Sequence, residues 1–375
     1  MKFETRKLGE LVINFDRKRV PLSSRQRSGR QGVYPYYGAT SIMDYVDDYI
    51  FDGKYLLMGE DGTVIDENGK PILQIAEGKF WCNNHAHILQ NTELVTFDYL
   101  YYLLKNTNVQ SLVTGAVQPK ISQSNMNKLV LRIHKNKKEQ EKIARYLRLL
   151  DDKIELNSAI NNNLEQQAQA LYKDWFFDFT PFSTDGNLPD GWRLGTVSDI
   201  IQLHDSKRVP LSGAERDKMA KIYPYYGATS LMDYVDNYLF DGIYLLLGED
   251  GTVVDSLGFP ILQYVYGQFW VNNHAHIITG KEGFSVEELY LFFSLTNIKS
   301  IVTGAVQQKV SQQNLKKVPA IIPSKDALSA FDELIQPIFS QIRNLRDENA
   351  SLADLRDTLL PKLMSGELDV SDIDL

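Results

Sequence analysis

Residues Glu139–Trp175 read EQEKIARYLRLLDDKIELNSAINNNLEQQAQALYKDW, with no Gly and no Pro. Spacings of four and three alternate along Ile143, Leu147, Leu150, Ile154, Asn157, Asn161, Leu164, Ala168 and Leu171. That heptad seam is the mark of a helix that packs along another helix. At ~1.5 Å per residue it would be a rod of about 50 Å. So narrow an apolar stripe needs a partner, and Phe331–Met364 offers one. Its seam reads Ile338, Ile342, Leu345, Asn349, Leu352, Leu359 and Leu363, with Arg356 intruding at one turn. Ile154, Asn161, Leu164 and Leu171 fall on Ile342, Asn349, Leu352 and Leu359 at an offset of 188.

The helices belong to a larger repeat. Tyr34–Leu89 and Tyr223–Ile278 align without a gap at an offset of 189, with 41 identities in 56 positions. The same offset carries Arg19-Val-Pro-Leu-Ser onto Arg208-Val-Pro-Leu-Ser, and Thr114-Gly-Ala-Val-Gln onto Thr303-Gly-Ala-Val-Gln. The whole chain is therefore one unit written twice, lobe then long helix, with a period too long for a solenoid. Two copies tend to be related by a pseudo-two-fold axis. If the helices run antiparallel, Asn157, Asn161 and Asn349 lie near that axis and fix register.

Each lobe reads as strand-rich with a few short helices. Tyr55-Leu-Leu-Met and Pro71-Ile-Leu-Gln-Ile have strand length and turn boundaries. Phe97–Lys105 and Val286–Leu295 have helical spacing, and Leu129–Ile133 and Val318–Ile322 suit a last strand in each lobe. The fold class expected is α+β, with two similar strand-rich domains separated by two long antiparallel helices. The boundaries expected are lobes at 1–134 and 193–323, helices at 135–178 and 324–366, a linker at 179–192, and a frayed acidic tail at 367–375.

Among 375 residues, 43% hydrophobic and 23% charged content suits a soluble globular protein of two or three domains. No apolar run approaches membrane-spanning length and MKFETRKLGE has no signal-peptide core, so a cytoplasmic protein with no membrane partner is expected. One cysteine, Cys82, excludes an internal disulfide framework and a Cys-rich zinc site. The net charge of −8 does not by itself suggest nucleic acid. Such binding would come from local patches or from partners.

Phosphate-loop, dinucleotide-binding, H-E-x-x-H and G-x-S-x-G motifs are absent, as is any Asn/Asp-Pro-Pro-Tyr stretch. Three duplicated features remain. Gly59-Glu-Asp-Gly and Gly248-Glu-Asp-Gly place Glu60, Asp61, Glu249 and Asp250 in tight turns, where they could cap backbone amides, accept from base amino groups or assist a metal. In Asn83-Asn-His-Ala-His and Asn272-Asn-His-Ala-His, strand alternation would put His85 and His87 (His274 and His276) on one face, for framework, nucleic acid or metal. Gln118-Pro-Lys and Gln307-Gln-Lys present amide and ammonium groups suited to adenine edges and phosphates, from Gln118, Lys120, Gln307 and Lys309. Thr40 and Thr229, in the Gly-Ala-Thr turns, join these candidates.

Positive charge is local. Arg17, Lys18, Arg19, Arg25, Arg27 and Arg30 crowd one polar segment; Lys207, Arg208, Arg216, Lys218 and Lys221 form its counterpart, diluted by Glu215 and Asp217. A charge run is usually a solvated loop, but paired basic loops on two lobes suit a clamp on a polyanion.

The twin Tyr-Tyr-Gly-Ala-Thr…Gly-Glu-Asp-Gly-Thr…Phe-Trp…Asn-Asn-His-Ala-His segments carry a resemblance. So do Leu171-Tyr-Lys-Asp-Trp-Phe-Phe-Asp-Phe, Leu188-Pro-Asp-Gly-Trp and Leu355-Arg-Asp-Thr-Leu-Leu-Pro-Lys-Leu-Met-Ser-Gly. Together, over essentially the whole chain, the sequence resembles the specificity (S) subunits of type I restriction-modification systems. The resemblance implies a non-catalytic subunit whose two target-recognition domains each read one half of a bipartite double-stranded DNA site. It implies two adenine methyltransferase (M) subunits docked on the helices, and restriction (R) subunits joining them. This chain would bind no cofactor or metal; S-adenosylmethionine, ATP and Mg²⁺ would be used by those partners. The alternatives are a two-lobed metal-dependent nuclease using Glu60, Asp61, His85 and His87, or a coiled-coil scaffold without DNA contact.

Overall fold

The computed structural model describes residues 2–115, 117–183, 186–304 and 307–370. It forms two compact units. One comprises Met1–Leu156 with Glu348–Leu375, the other Asn157–Asp347. Each unit thus holds one lobe plus part of each long helix, which differs from a division treating each helix as its own segment.

The two long helices are Lys137–Phe176 and Lys325–Ser365. In the first unit, Ile143, Ala144 and Leu147 share a core with Leu360, Leu363 and Met364 from near the chain's end. Arg356, the seam intruder, is satisfied there: its Nη1 lies 2.7 Å from Asp151 Oδ1, and Tyr102 Oη donates to Asp151 Oδ2 at 2.6 Å. In the second unit, Ala168, Tyr172 and Phe176 pack with Phe331, Ile335, Phe339 and Ile342, and Arg346 pairs with Glu165 at 2.8 Å. Early residues of one helix meet late residues of the other, so the segments run antiparallel. The second seam is wider than the heptad reading: Phe331, Ile335 and Phe339 are buried, whereas Ile338 is only partly so. The reason is that this helix also faces its lobe, with Phe339 5.3 Å from Tyr264, and a helix with two neighbours needs a broader apolar face.

The three asparagines lie at the seam. Asn157 and Asn161 are buried. Asn161 Nδ2 donates to the Ile342 carbonyl at 3.5 Å in one unit, and Asn349 Nδ2 to the Ile154 carbonyl at 3.3 Å in the other. Both contacts are the same contact, displaced by the repeat offset.

Each lobe is closed by pairing its first and last strands: Phe3–Lys7 with Val130–His134, and Arg193–Thr196 with Pro319–Ile322. Within the first lobe, Val12–Asn14, Ala86–Asn91, Tyr55–Gly59 and Leu73–Ala76 form one sheet in that order. Ile42–Val46, Gln31–Tyr37, Lys79–Cys82 and Phe51–Asp52 form another, with Gln31–Tyr37 parallel to Lys79–Cys82. In the second lobe Phe240–Gly248 and Leu262–Val271 run on without a break, and the equivalents of both sheets become one of six strands. The strand expected from Pro71 begins at Leu73, because Pro71 bridges Ile65 and the Ile72 N–H donates to the Val64 carbonyl at 3.0 Å instead. Phe97–Lys105 and Val286–Ser294 are the short helices, turning Tyr99, Leu100 and Leu104, and Leu289 and Phe293, into the cores.

The described ends of the 179–192 segment are anchored to the first long helix and to each other. Phe179 takes a left-handed φ of 56° and meets Trp192 edge-on at 5.7 Å, while Trp192 lies 5.7 Å from Phe176. In the tail, residues 367–370 are not frayed: Val370 is buried in the first unit's core and Leu368 N–H donates to the Lys362 carbonyl at 3.1 Å. Residues 371–375 lie outside the described residues.

Replacing Asn161 and Asn349 with Leu should raise stability, because among the described residues the buried Asn161 Oδ1 has no hydrogen-bond partner, by about 1 kcal/mol at Asn161. It should also relax register. Urea unfolding and sedimentation check this: a higher midpoint with larger species is expected, whereas an unchanged midpoint with one species of unchanged mass would contradict it.

Candidate nucleic-acid interface

The first lobe's charged residues converge on a buried centre. Asp16 opens a short 3₁₀ turn, its N–H donating to Asn14 Oδ1 at 2.9 Å. Its carboxylate accepts from the Ile88 amide at 2.9 Å and meets His87 Nδ1 at 2.6 Å. Arg19 ends the turn. Its Nη1 donates to Glu60 Oε2 at 2.5 Å and to the Ala86 carbonyl at 2.7 Å, and its Nη2 lies 3.6 Å from Asp16. Lys120 Nζ is 3.2 Å from the other Glu60 oxygen. The second lobe repeats this: Arg208 to Glu249 at 2.6 Å and to the Ala275 carbonyl at 2.8 Å, Asp205 to His276 at 2.6 Å, and Lys309 to Glu249 at 3.4 Å.

These centres bring together ligand types that a metal could use, Asp16, Glu60 and His87, and Asp205, Glu249 and His276. Their chemistry argues for a different cation. Arg19 and Arg208 already supply the positive charge between the carboxylates. His87 Nε2 faces the Ile121 carbonyl at 2.8 Å and His276 Nε2 the Val310 carbonyl at 2.8 Å. Both ring nitrogens of each histidine are thus already engaged by oxygen atoms of the protein. Burial by itself would raise the Asp16 pKa. The hydrogen bond and charge of His87, with the Ile88 amide and Asn14, outweigh it and hold Asp16 below the usual carboxylate range. Glu60 is likewise pushed up by burial and brought lower still by Arg19, His87 and Lys120.

Around this centre three loops are stitched together. Glu60 N–H donates to the His85 carbonyl at 2.8 Å, Gly62 N–H to the Pro119 carbonyl at 3.0 Å, and Ile121 N–H to the Glu60 carbonyl at 2.8 Å. Gly62 has a φ of 87°, which is why a glycine closes this turn. The turn bearing Thr40 joins them: the Gly38 carbonyl accepts from Gln74 Nε2 at 3.1 Å, and Asn83 N–H donates to the Tyr37 carbonyl at 3.1 Å. Thr40, Asn84, Gln118 and Lys120 are exposed on this loop cluster, and His85 is partly so with its Nδ1 on Asp61. The second lobe makes the same cluster from Thr229, Asn273, His274 with Asp250, Gln307 and Lys309.

Several expected contacts change role. His85 and His87 do not share one ligand-bearing face. His85 sits in the turn before the strand, its N–H donating to Asn83 Oδ1 at 2.8 Å, while His87 is wholly buried. Arg19, Arg208, Glu60 and Glu249 are framework, because their charges are spent on one another. Arg27 donates to Asp44 at 3.0 Å with its guanidinium over Tyr36, and Arg30 donates to Asp47 at 2.8 Å over Trp81. Arg216 and Lys221 both pair with Asp233, at 3.0 and 2.8 Å. That leaves Arg17, Lys18 and Arg25, and Lys207 and Lys218, as exposed cations of these segments. Sequence reading missed Asp16 and Asp205 as the organisers and Asn84 and Asn273 as exposed amides. Their one signal was identity across the repeat.

With this geometry in view, comparison with known proteins decides the family. Residues 1–166 and 189–353 match the type I restriction modification DNA specificity domain. The chain belongs to that family. It is 26% identical over 346 residues to the type I restriction enzyme MjaIX specificity subunit of Methanocaldococcus jannaschii, covering 83% of this chain and 79% of that one. It is 25% identical over 364 residues to the HindI specificity subunit of Haemophilus influenzae, covering 74% and 79%. The crystal structure of the type I restriction-modification S subunit from M. genitalium has the same fold, with a TM-score of 0.60 at 17% identity, covering 97% of this chain and 96% of that one. Among the described residues no helix of this specificity subunit is long and apolar enough to cross a membrane.

Asp16→Asn tests the centre. A carboxylate whose folded pKa is depressed contributes stability that is present above its unfolded value near 3.9 and is lost as pH falls through the folded pKa. The variant should therefore lose about 3 kcal/mol at pH 7, and the gap to the parent should shrink below about pH 4. Urea titrations across pH would show it; a gap constant to pH 3 would contradict it.

Proposed function

We propose that this specificity subunit is the non-catalytic DNA reader of a type I restriction-modification complex, with one lobe reading each half of a bipartite duplex target. The observation that carries this reading is the duplicated loop cluster. In each lobe the strong charges are neutralised inside the protein, with the half-exposed Lys120 and Lys309 ammonium groups on Glu60 and Glu249, and an amide pair, an imidazole and a hydroxyl are left outward. Groups of that kind read base edges, while exposed cations beside them hold phosphates without reading sequence. An overall charge of −8 is compatible with this, because only the local patch meets DNA.

Methylation and cleavage belong, in this reading, to adenine methyltransferase and restriction subunits, which use S-adenosylmethionine, ATP and Mg²⁺. The long helices are the docking surface for two methyltransferases. In the first unit Leu149, Leu156 and Leu355 are exposed on them at 51%, 55% and 46%, apolar side chains that a docked subunit could cover. The family's specificity role and the residues' own chemistry both favour a reader over a nuclease, since Glu60 and His87 are consumed by Arg19, Asp16 and the Ile121 carbonyl.

Changing Arg17, Lys18 and Arg25 together to Gln should weaken DNA binding and lower the slope of log affinity against log salt by about two to three. Arg30→Gln should leave that slope in place, since Arg30 is held by Asp47. Titrating duplex DNA at several salt concentrations decides it; an unchanged slope in the triple variant would remove this segment from the interface.

A further inference from the structure

We infer that the two lobes read the same base sequence, so that the two halves of the target are copies of one another. This rests on the base-reading role proposed for the loop cluster and goes further, to what that cluster reads.

Identity between repeats does not suffice for this, because most identical residues are scaffold. Phe80 and Phe269, for example, are wholly buried and touch nothing outside the protein. The deciding residues are those that present polar groups outward. Thr40 and Thr229 occupy the same tight turn, closed by Gly38 N–H to Ser41 O at 2.8 Å in one lobe and by Gly227 N–H to Ser230 O at 2.9 Å in the other. His85 and His274 are each held through Nδ1 by Asp61 or Asp250, with side chains 44% and 46% exposed. Each backbone is set alike, His85 N–H to Asn83 at 2.8 Å and His274 N–H to Asn272 at 2.8 Å. Gln118 and Gln307 are followed by the same stitching, Gly62 N–H to Pro119 O at 3.0 Å and Gly251 N–H to Gln308 O at 3.0 Å. Identical donors and acceptors on identically bonded backbones present one hydrogen-bond pattern, and a major-groove edge answering it has one sequence.

Most of the differences between the lobes fall elsewhere. Arg30 lies over Trp81 beside Asp47, at the end of its hairpin away from the Thr40 turn, and its counterpart is Met219. Glu67 and Asn68, replaced by Ser256 and Leu257, sit in a turn held by Asn108 and Asn297, whose side chains donate to the Asn68 and Leu257 carbonyls at 2.8 and 2.7 Å. Within the cluster, Pro119 gives way to Gln308, Ile42 to Leu231 and Arg17 to Ser206. Pro119 and Gln308 make the shared contact through their carbonyls, so the exposed side-chain amide of Gln308 is the one polar group added at this point, and Arg17 supplies phosphate attraction rather than sequence.

Selection of randomised duplexes by the full chain, followed by sequencing of the recovered DNA, tests this. One motif appearing twice in each recovered duplex is the expected result, with any difference confined to a single position. Two unrelated motifs would overturn the inference and leave the base-reading role standing. No enriched motif would overturn both. His85→Ala and His274→Ala give a second measurement: each should lose about tenfold or more of its discrimination at the same position of the motif, one in one copy and one in the other. Losses at different positions, or at none, would overturn the inference.

Discussion

A guanidinium held between two carboxylates organises each lobe. Arg19 links Asp16 and Glu60 and also grips the carbonyl of Ala86, while His87 joins Asp16 to the Ile121 carbonyl. Four segments distant in sequence are thereby fixed to one point, and Arg208 repeats the arrangement. Buried pairs of this kind add little net stability compared with apolar packing, but breaking one costs about 3–5 kcal/mol. Their value here is positional: they hold the loops bearing His85, Gln118 and Thr40 in one arrangement, as the proposed reading surface would need before it meets a ligand.

The same chemistry explains how an acidic chain can be proposed to bind a polyanion. Cations that look available in the sequence are partnered inside the lobe: Arg27 by Asp44, Arg30 by Asp47, Arg216 and Lys221 by Asp233. The Asp233 carboxyl is held low, at about 2, first by Lys221 and then by the Tyr234 amide and Arg216 against the opposing effect of burial. What remains outward is a small set of cations beside a larger set of neutral donors and acceptors. That balance suits recognition of sequence more than bulk attachment to phosphate.

The duplication and the long helices were legible because both are written locally, one as identity at a fixed offset and the other as heptad spacing. The short helix at Phe97–Lys105 was legible for the same reason. The centre was not, since Asp16, Glu60, His87 and Ile121 are joined only by the tertiary fold. A basic run reads as phosphate binding until its partners, such as Asp44 and Asp47, are seen across a hairpin. The shared face assigned to His85 and His87 failed because alternation holds within a strand, and the strand begins at Ala86. The second helix is wider than its heptad spacing implies at Phe331, Ile335 and Phe339, where a second neighbour adds to the seam.

On the proposed function, Arg19 shapes the reading face without touching DNA. The most direct test of this is the salt dependence of DNA affinity for the paired variant Arg19→Gln with Glu60→Gln, which removes the charge pair and keeps polar groups in place. The account predicts weaker sequence discrimination with the slope of log affinity against log salt unchanged. A slope lower by about one would mean that Arg19 is itself a phosphate contact and would contradict the account.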